Sequence, residues 1–113
     1  MGTNIQNKNI MRTIATKEEL RQAIKAGVRE VHVADGKLFC ACMLAAKHDS
    51  KWAIMKNYLK ELASPMVYMV IGPLHAFDGL RIAHLATDVL EILQDCNVML
   101  TVNEGQTITI SPA

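Results

Sequence analysis

Residues 11–36, MRTIATKEELRQAIKAGVREVHVADG, read as strand, capped helix and strand, with a separate chemical signal at each junction. Thr16 followed by Glu19 is a capping box. The Thr16 hydroxyl accepts from the Glu19 amide while the Glu19 carboxylate reaches back to the Thr16 amide, so two orphan donors are satisfied together. Leu20, Ala23 and Ile24 then recur at helical spacing along residues 17–26. Gly27 stands where a helix ends in a left-handed residue. Residues 30–35, EVHVAD, follow as a short strand, with Val31 and Val33 on one side and Glu30 and His32 on the other, closed by Asp35-Gly36. If the two strands share a sheet in parallel, the helix between them makes a right-handed crossover. The fold class expected is α/β.

Composition bounds the rest. At 113 residues the chain is long enough to bury one core without staples. Residues 11–113 are expected to form a single α/β domain behind a flexible polar extension, residues 1–10, with Met11 an alternative start. Lys plus Arg number 12 and Asp plus Glu 11, so no global field selects nucleic acid or anionic lipid. Cys40, Cys42 and Cys96 are an odd set, two of them inside an apolar run, which fits a reducing cytoplasm better than a disulfide scaffold. Residues 1–10 hold neither a basic nor an apolar signal region, and Gln6 stands where a myristoylation motif needs Ser or Thr. The longest uncharged stretch, residues 63–77, is too short for a bilayer and holds two prolines and a glycine. No transmembrane segment is expected.

Further along, residues 38–46, LFCACMLAA, are nine consecutive apolar positions rich in Ala, which reads as a helix buried on most of its surface. Residues 52–63 resume a helix, with Trp52, Met55, Leu59 and Leu62 as its apolar stripe and Ser64-Pro65 as its stop. Residues 66–71, MVYMVI, read as a central strand covered on both faces. Asp78 is placed as the N-cap of an amphipathic helix with the stripe Ile82, Leu85, Ala86, Val89 and Leu93, and Asn97 as its C-terminal cap. Residues 98–102 and 107–110 form a hairpin around residues 103–106, with residues 107–110 as an edge strand. The expected core includes Val31, Leu44, Leu59, Val67, Met69 and Val89.

Open α/β sheets bind ligands outside the carboxyl ends of their strands. Residues 35–37 and 72–79 are the loops expected there, so Asp35, Gly36, Gly72, His75, Asp78 and Arg81 are the candidate ligand-binding or anion-binding set. A His75–Asp78 pair can orient an imidazole as a general base. No Ser or Cys nucleophile lies beside it in sequence, so no catalytic residue is assigned and enzymatic activity stays open. The ordinary structural roles are a helix cap for Asp78 and a loop position for His75. On a helix Cys40 and Cys42 point about 200° apart and cannot form a CxxC knuckle. They read as buried inert thiols, and neither metal nor cofactor is implied.

Two resemblances accompany these residues. The opening TIATKEELRQAIKAGVREVHVADGKL, with the closing hairpin, resembles a group of small uncharacterised bacterial and mobile-element proteins. These run strand, EEL helix, GxREIxV-type strand, apolar centre and C-terminal hairpin, and the group brings no function. Residues 67–102, beginning VYMVIGPLHAFDGLRIAH, are similar to the core of STAS domains, the anti-sigma-factor antagonists. Asp78 and Gly79-Leu80 match that core, while the family's phosphorylatable Ser or Thr has no counterpart here. That resemblance implies a regulatory α/β domain.

The expectation for function is therefore protein–protein association, either self-association or a protein partner, offered through an edge strand. The alternatives are a small-ligand or anion site at residues 72–79, a STAS-like regulatory domain, and a peripheral membrane-acting protein. The last requires residues 66–77 to be exposed.

Overall fold

Backbone hydrogen bonds left over at element ends set the boundaries of this fold. The computed structural model describes residues 11–73 and 77–113. The expectations for residues 1–10 and for His75 lie outside them. The opening unit is β1 (Arg12–Ile14), α1 (Lys17–Lys25) and β2 (Glu30–Val33). The Glu19 amide donates to Thr16 Oγ1 at 3.1 Å, and the Thr16 amide donates back to Glu19 Oε1 at 3.1 Å. A further bond from the Ala15 amide at 2.8 Å is the largest cause that holds the Glu19 carboxyl below its ordinary range. At the other end Gly27 has φ +76°, and the amides of Gly27 and Val28 donate to Ile24 and Ala23 carbonyls. That is a Schellman stop, and only a residue tolerant of positive φ closes it cheaply. β1 and β2 pair in parallel, with Ile14 opposite Val33.

Asp35 then caps α2 (Gly36–Lys47), accepting from the Leu38 amide at 2.9 Å. Every residue from Leu38 to Ala45 is buried, so α2 is wrapped on nearly all sides. Ser50 caps α3 (Lys51–Leu62) through the Ala53 amide at 3.1 Å. Here the expected stripe is corrected: Ile54 and Leu62 are buried, whereas Trp52 and Leu59 are exposed. Two overlapping stripes fit the helical period on this segment. The one that wins places Tyr58 and Leu62 over Gly79, whose missing Cβ would lie 3.6 Å from the Tyr58 ring. Tyr58 and Leu62 thus pack on the facing helix beside Gly79, at ordinary van der Waals distance.

Residues 66–71 are not a strand. They lie in α4 (Pro65–Ile71), and the expected buried central strand is overturned. Ser64 is the N-cap, accepting from the Val67 amide at 3.4 Å, and Pro65 occupies the first turn, where its fixed φ is pre-organised and its missing N–H costs nothing. Gly72, at φ +73°, ends the helix and donates to the Tyr68 carbonyl at 2.7 Å. Ser64-Pro65 follows the end of α3 at Leu62, as expected, and also starts the next helix. A six-residue apolar run has no periodicity that separates a covered strand from a short helix.

α5 (Asp78–Cys96) closes with Asn97 in the left-handed region at φ 57°, as expected. Asp78 is its first residue and not its cap. Phe77 holds the cap position and makes no side-chain cap bond. A hairpin of β3 (Val98–Asn103) and β4 (Thr107–Pro112) completes a four-stranded mixed sheet in the order β1-β2-β4-β3. β4 therefore lies inside the sheet, against the expectation of an edge at residues 107–110; the edges are β1 and β3. Ile108 and Ile110 explain this, since both are buried, and Ile108 stands opposite Val31 on β2 and Val102 on β3. Ile14, Val31, Val33, Leu100, Ile108 and Ile110 make one buried face under the helices. Thr13, Thr101, Thr107 and Thr109 stand on the other face with His32, all exposed or half-buried. The result is an α/β fold with helices on one side of a mixed sheet. No helix among the described residues is long and apolar enough to cross a membrane.

Candidate functional site

The loops singled out in the sequence do converge, but as packing. The N-terminus of α2 sits against the C-terminal end of α4: a Cβ on Gly36 would come 2.5 Å from Ile71 Cγ2 and 3.3 Å from Val70 Cγ1. Lys37 Nζ lies 3.5 Å from Asp78 Oδ1, so the same loop is tied to the start of α5. Asp35, Gly36, Gly72 and Asp78 thus belong to one region of the molecule. Within it the Asp35 carboxylate is engaged as a helix cap, Gly72 serves as a helix stop, and Asp78 pairs with a lysine. Arg81 is exposed on α5.

A polar cluster that sequence reasoning missed joins the end of α2 to α3. His48 Nε2 stands 2.5 Å from Glu61 Oε2, and Lys47 Nζ lies 3.2 Å from Glu61 Oε1. Burial pushes the Glu61 carboxyl up, and the hydrogen bonds from His48 and Lys47 together outweigh it, leaving the group below its ordinary value of 4.5. A depressed carboxyl contributes stability above its unfolded pKa and loses it as pH falls through the folded value. Glu61→Gln is therefore expected to cost about 1 kcal/mol at neutral pH. That difference from the parent should shrink to nothing in melts run progressively below pH 4.5. A difference that persists unchanged into strong acid would show that the carboxylate is not what joins these helices. Residues 47, 48 and 61 carry no spacing signal, because the contact is made by a turn between two helices.

The thiols are silent in the geometry. Cys40 and Cys42 are buried on α2, and burial pushes them up to about 11 and about 12, so both are protonated and unreactive at neutral pH. Among the described residues no three His, Cys, Asp or Glu side chains gather in a way that could hold a metal ion.

The most distinctive surface is apolar. Met69 on α4 is 85% exposed and Tyr68 61%, while Val67 between α4 and the core is 1% exposed. Trp52 and Leu59 on α3, at 76% and 71%, and Phe77 at 73% add large exposed side chains nearby in sequence. Beside α4 runs a groove of about 520 Å³, with Phe39, Met66, Met69 and Val70 on one wall and the hairpin turn from Asn103 to Gln106 on the other. Met69 and Leu59, both expected in the core, are outside it. Their exposure follows from the helical period of α4 and from the face of α3 that packs on α5. No family model matches the chain, and no curated protein or solved structure matches it either.

Proposed function

We propose that this chain acts by protein–protein association, with the exposed apolar side chains of α4 in the contact. The observation that carries the reading is Met69 and Tyr68 standing in solvent on a seven-residue helix whose sequence is otherwise apolar. Large apolar groups held out in contiguity mark interaction surfaces far more often than isolated ones do. Methionine adapts its shape to what covers it, and tyrosine brings area at little entropic cost. The free cysteines Cys40, Cys42 and Cys96 fit a reducing cytoplasm as its setting, and the reading needs no cofactor.

The test is Met69→Asp. It is expected to leave the melting temperature unchanged, because the side chain has no buried contacts to lose. It should weaken assembly, with itself or with a co-purified protein, by at least about tenfold. Full assembly by this variant would remove α4 from the contact.

A second reading is favoured by α3. Trp52, Lys56 and Leu59 lie within about 60° of one another around the helix, all exposed, with Lys60 at the flank. An apolar stripe interleaved with lysine fits an anionic lipid surface. Flotation with anionic vesicles decides it: binding lost on Trp52→Ser supports this reading, and protein left at the bottom with the parent sequence discards it.

A further inference from the structure

We propose that β3 pairs with β3 of a second copy of this chain, antiparallel, across a twofold axis at Leu100. The proposal rests on the association reading above and adds both the partner and the strand.

β3 is an edge strand six residues long, VMLTVN, with no charge, no proline and no bulge in its pairing with β4. Natural edges are normally blunted by such features. The opposite edge, β1, is only three residues long and carries Arg12. The direction of the β3 backbone groups follows from β4. Ile110 donates to the Arg29 carbonyl at 2.7 Å, so Ile108 and Ile110 turn their backbone toward β2 and Thr109 and Ser111 turn theirs toward β3. Thr101 and Met99, paired with Thr109 and Ser111, face back into the sheet. The N–H and C=O groups of Val98, Leu100 and Val102 therefore point out from the edge. Among the described residues no strand meets them.

The sequence of this edge is self-complementary. With the axis at Leu100, Leu100 meets its own copy and Val98 meets Val102, each pair exchanging both backbone bonds. Val98, Leu100 and Val102 all share the helix-covered face, so the valines, half-buried now, are covered by one another. Met99 meets Thr101 on the open face, where Met99 is the exposed large apolar residue. No charge opposes a like charge. A one-residue slip would bring apolar positions of one face against the open face of the other, and of the even registers only the axis at Leu100 pairs all three outward apolar residues. A strand edge alone covers less than the roughly 1,000 Å² a specific interface needs. Asn103, next after Val102, also lines the apolar groove with Met66 and Met69. With the axis at Leu100 the second copy's Asn97 stands opposite Asn103, so the contact extends to the rim of that groove.

The test is equilibrium sedimentation of the full chain, with Val102→Pro and Met69→Asp. The parent is expected to be a dimer. Val102→Pro removes an outward N–H that makes no bond within the sheet, so it should melt as the parent does and raise the dimer dissociation constant at least about tenfold. Because that variant could also fail to fold, a second measurement uses disulfides in a Cys96→Ser background. A mixture of Met99→Cys and Thr101→Cys chains should cross-link on mild oxidation, since opposed non-hydrogen-bonded residues stand about 4.5 Å apart. Each variant alone should not. A monomeric parent, or cross-linking as strong in either variant alone, overturns the proposal. If Met69→Asp dissolves the dimer and folded Val102→Pro does not, the edge is wrong and the α4 reading stands. If Val102→Pro dissolves it and Met69→Asp does not, the edge stands and the α4 reading fails.

Discussion

Val67→Asp is expected to destabilise the protein by at least about 3 kcal/mol, while Met69→Asp, two residues on, changes stability by less than about 0.5 kcal/mol. Val67 is 1% exposed and packs into the main core; a carboxylate there has no partner and must either be desolvated or lift α4 away. Met69 is 85% exposed and loses nothing to water that it did not already share. The pair separates two backbone conformations. In a strand, residues 67 and 69 share one face and both changes would be severe. In the helix that begins at Pro65 they point apart and only the first is severe. Thermal melts of the two variants read the difference directly.

Leu44→Ala should cost about 3 kcal/mol, and Leu59→Ala close to nothing. Leu44 is fully buried on α2, which packs against α3, α4, α5 and the sheet, so the space left by truncation is walled on every side and cannot collapse. Leu59 faces solvent on α3. Both residues are leucines in helices of the same length, and burial alone sets their costs apart. Denaturant midpoints of the two variants test that ordering. Equal costs would mean α3 sits with its other face inward.

The opening third of the fold was legible because its signals are local. Thr16, Glu19 and Gly27 act within one turn of the groups they satisfy, and the alternation of Val31 and Val33 needs only a nearest strand. Asn97 was placed at a helix end for the same reason. The buried helix at residues 38–46 was legible from its length and alanine content. What failed was everything decided at a distance. Residues 66–71 offer no period, so nothing in the run itself shows that Ser64-Pro65, which follows the end of α3, also starts α4. The side of α3 that turns inward is set by its packing on α5, a contact that sequence spacing cannot connect to Tyr58. Strand order is set by which strand offers two isoleucines to both neighbours, and a hairpin alone does not say which of its strands meets β2. The candidate loop residues Asp35, Gly36, Gly72 and Asp78 lie in one region of the molecule. Their spacing could not show that they cap, stop and pair helices.

These errors share a consequence for function. An edge expected at β4 belongs to β3, and a strand expected in the core is a helix that carries Tyr68 and Met69 outside. The association proposed here rests on different residues from those that motivated the sequence expectation.

Methionine-methyl NMR of the intact chain as its concentration is raised tests that reading most directly. The exposed Met66, Met69 and Met99 report the apolar helix and the open strand, and the buried Met43 on α2 is an internal control. The methyl signals of Met66, Met69 and Met99 are predicted to shift or broaden together on a single concentration curve, with Met43 unmoved. Signals from all four that stay fixed from dilute to concentrated solution would contradict it.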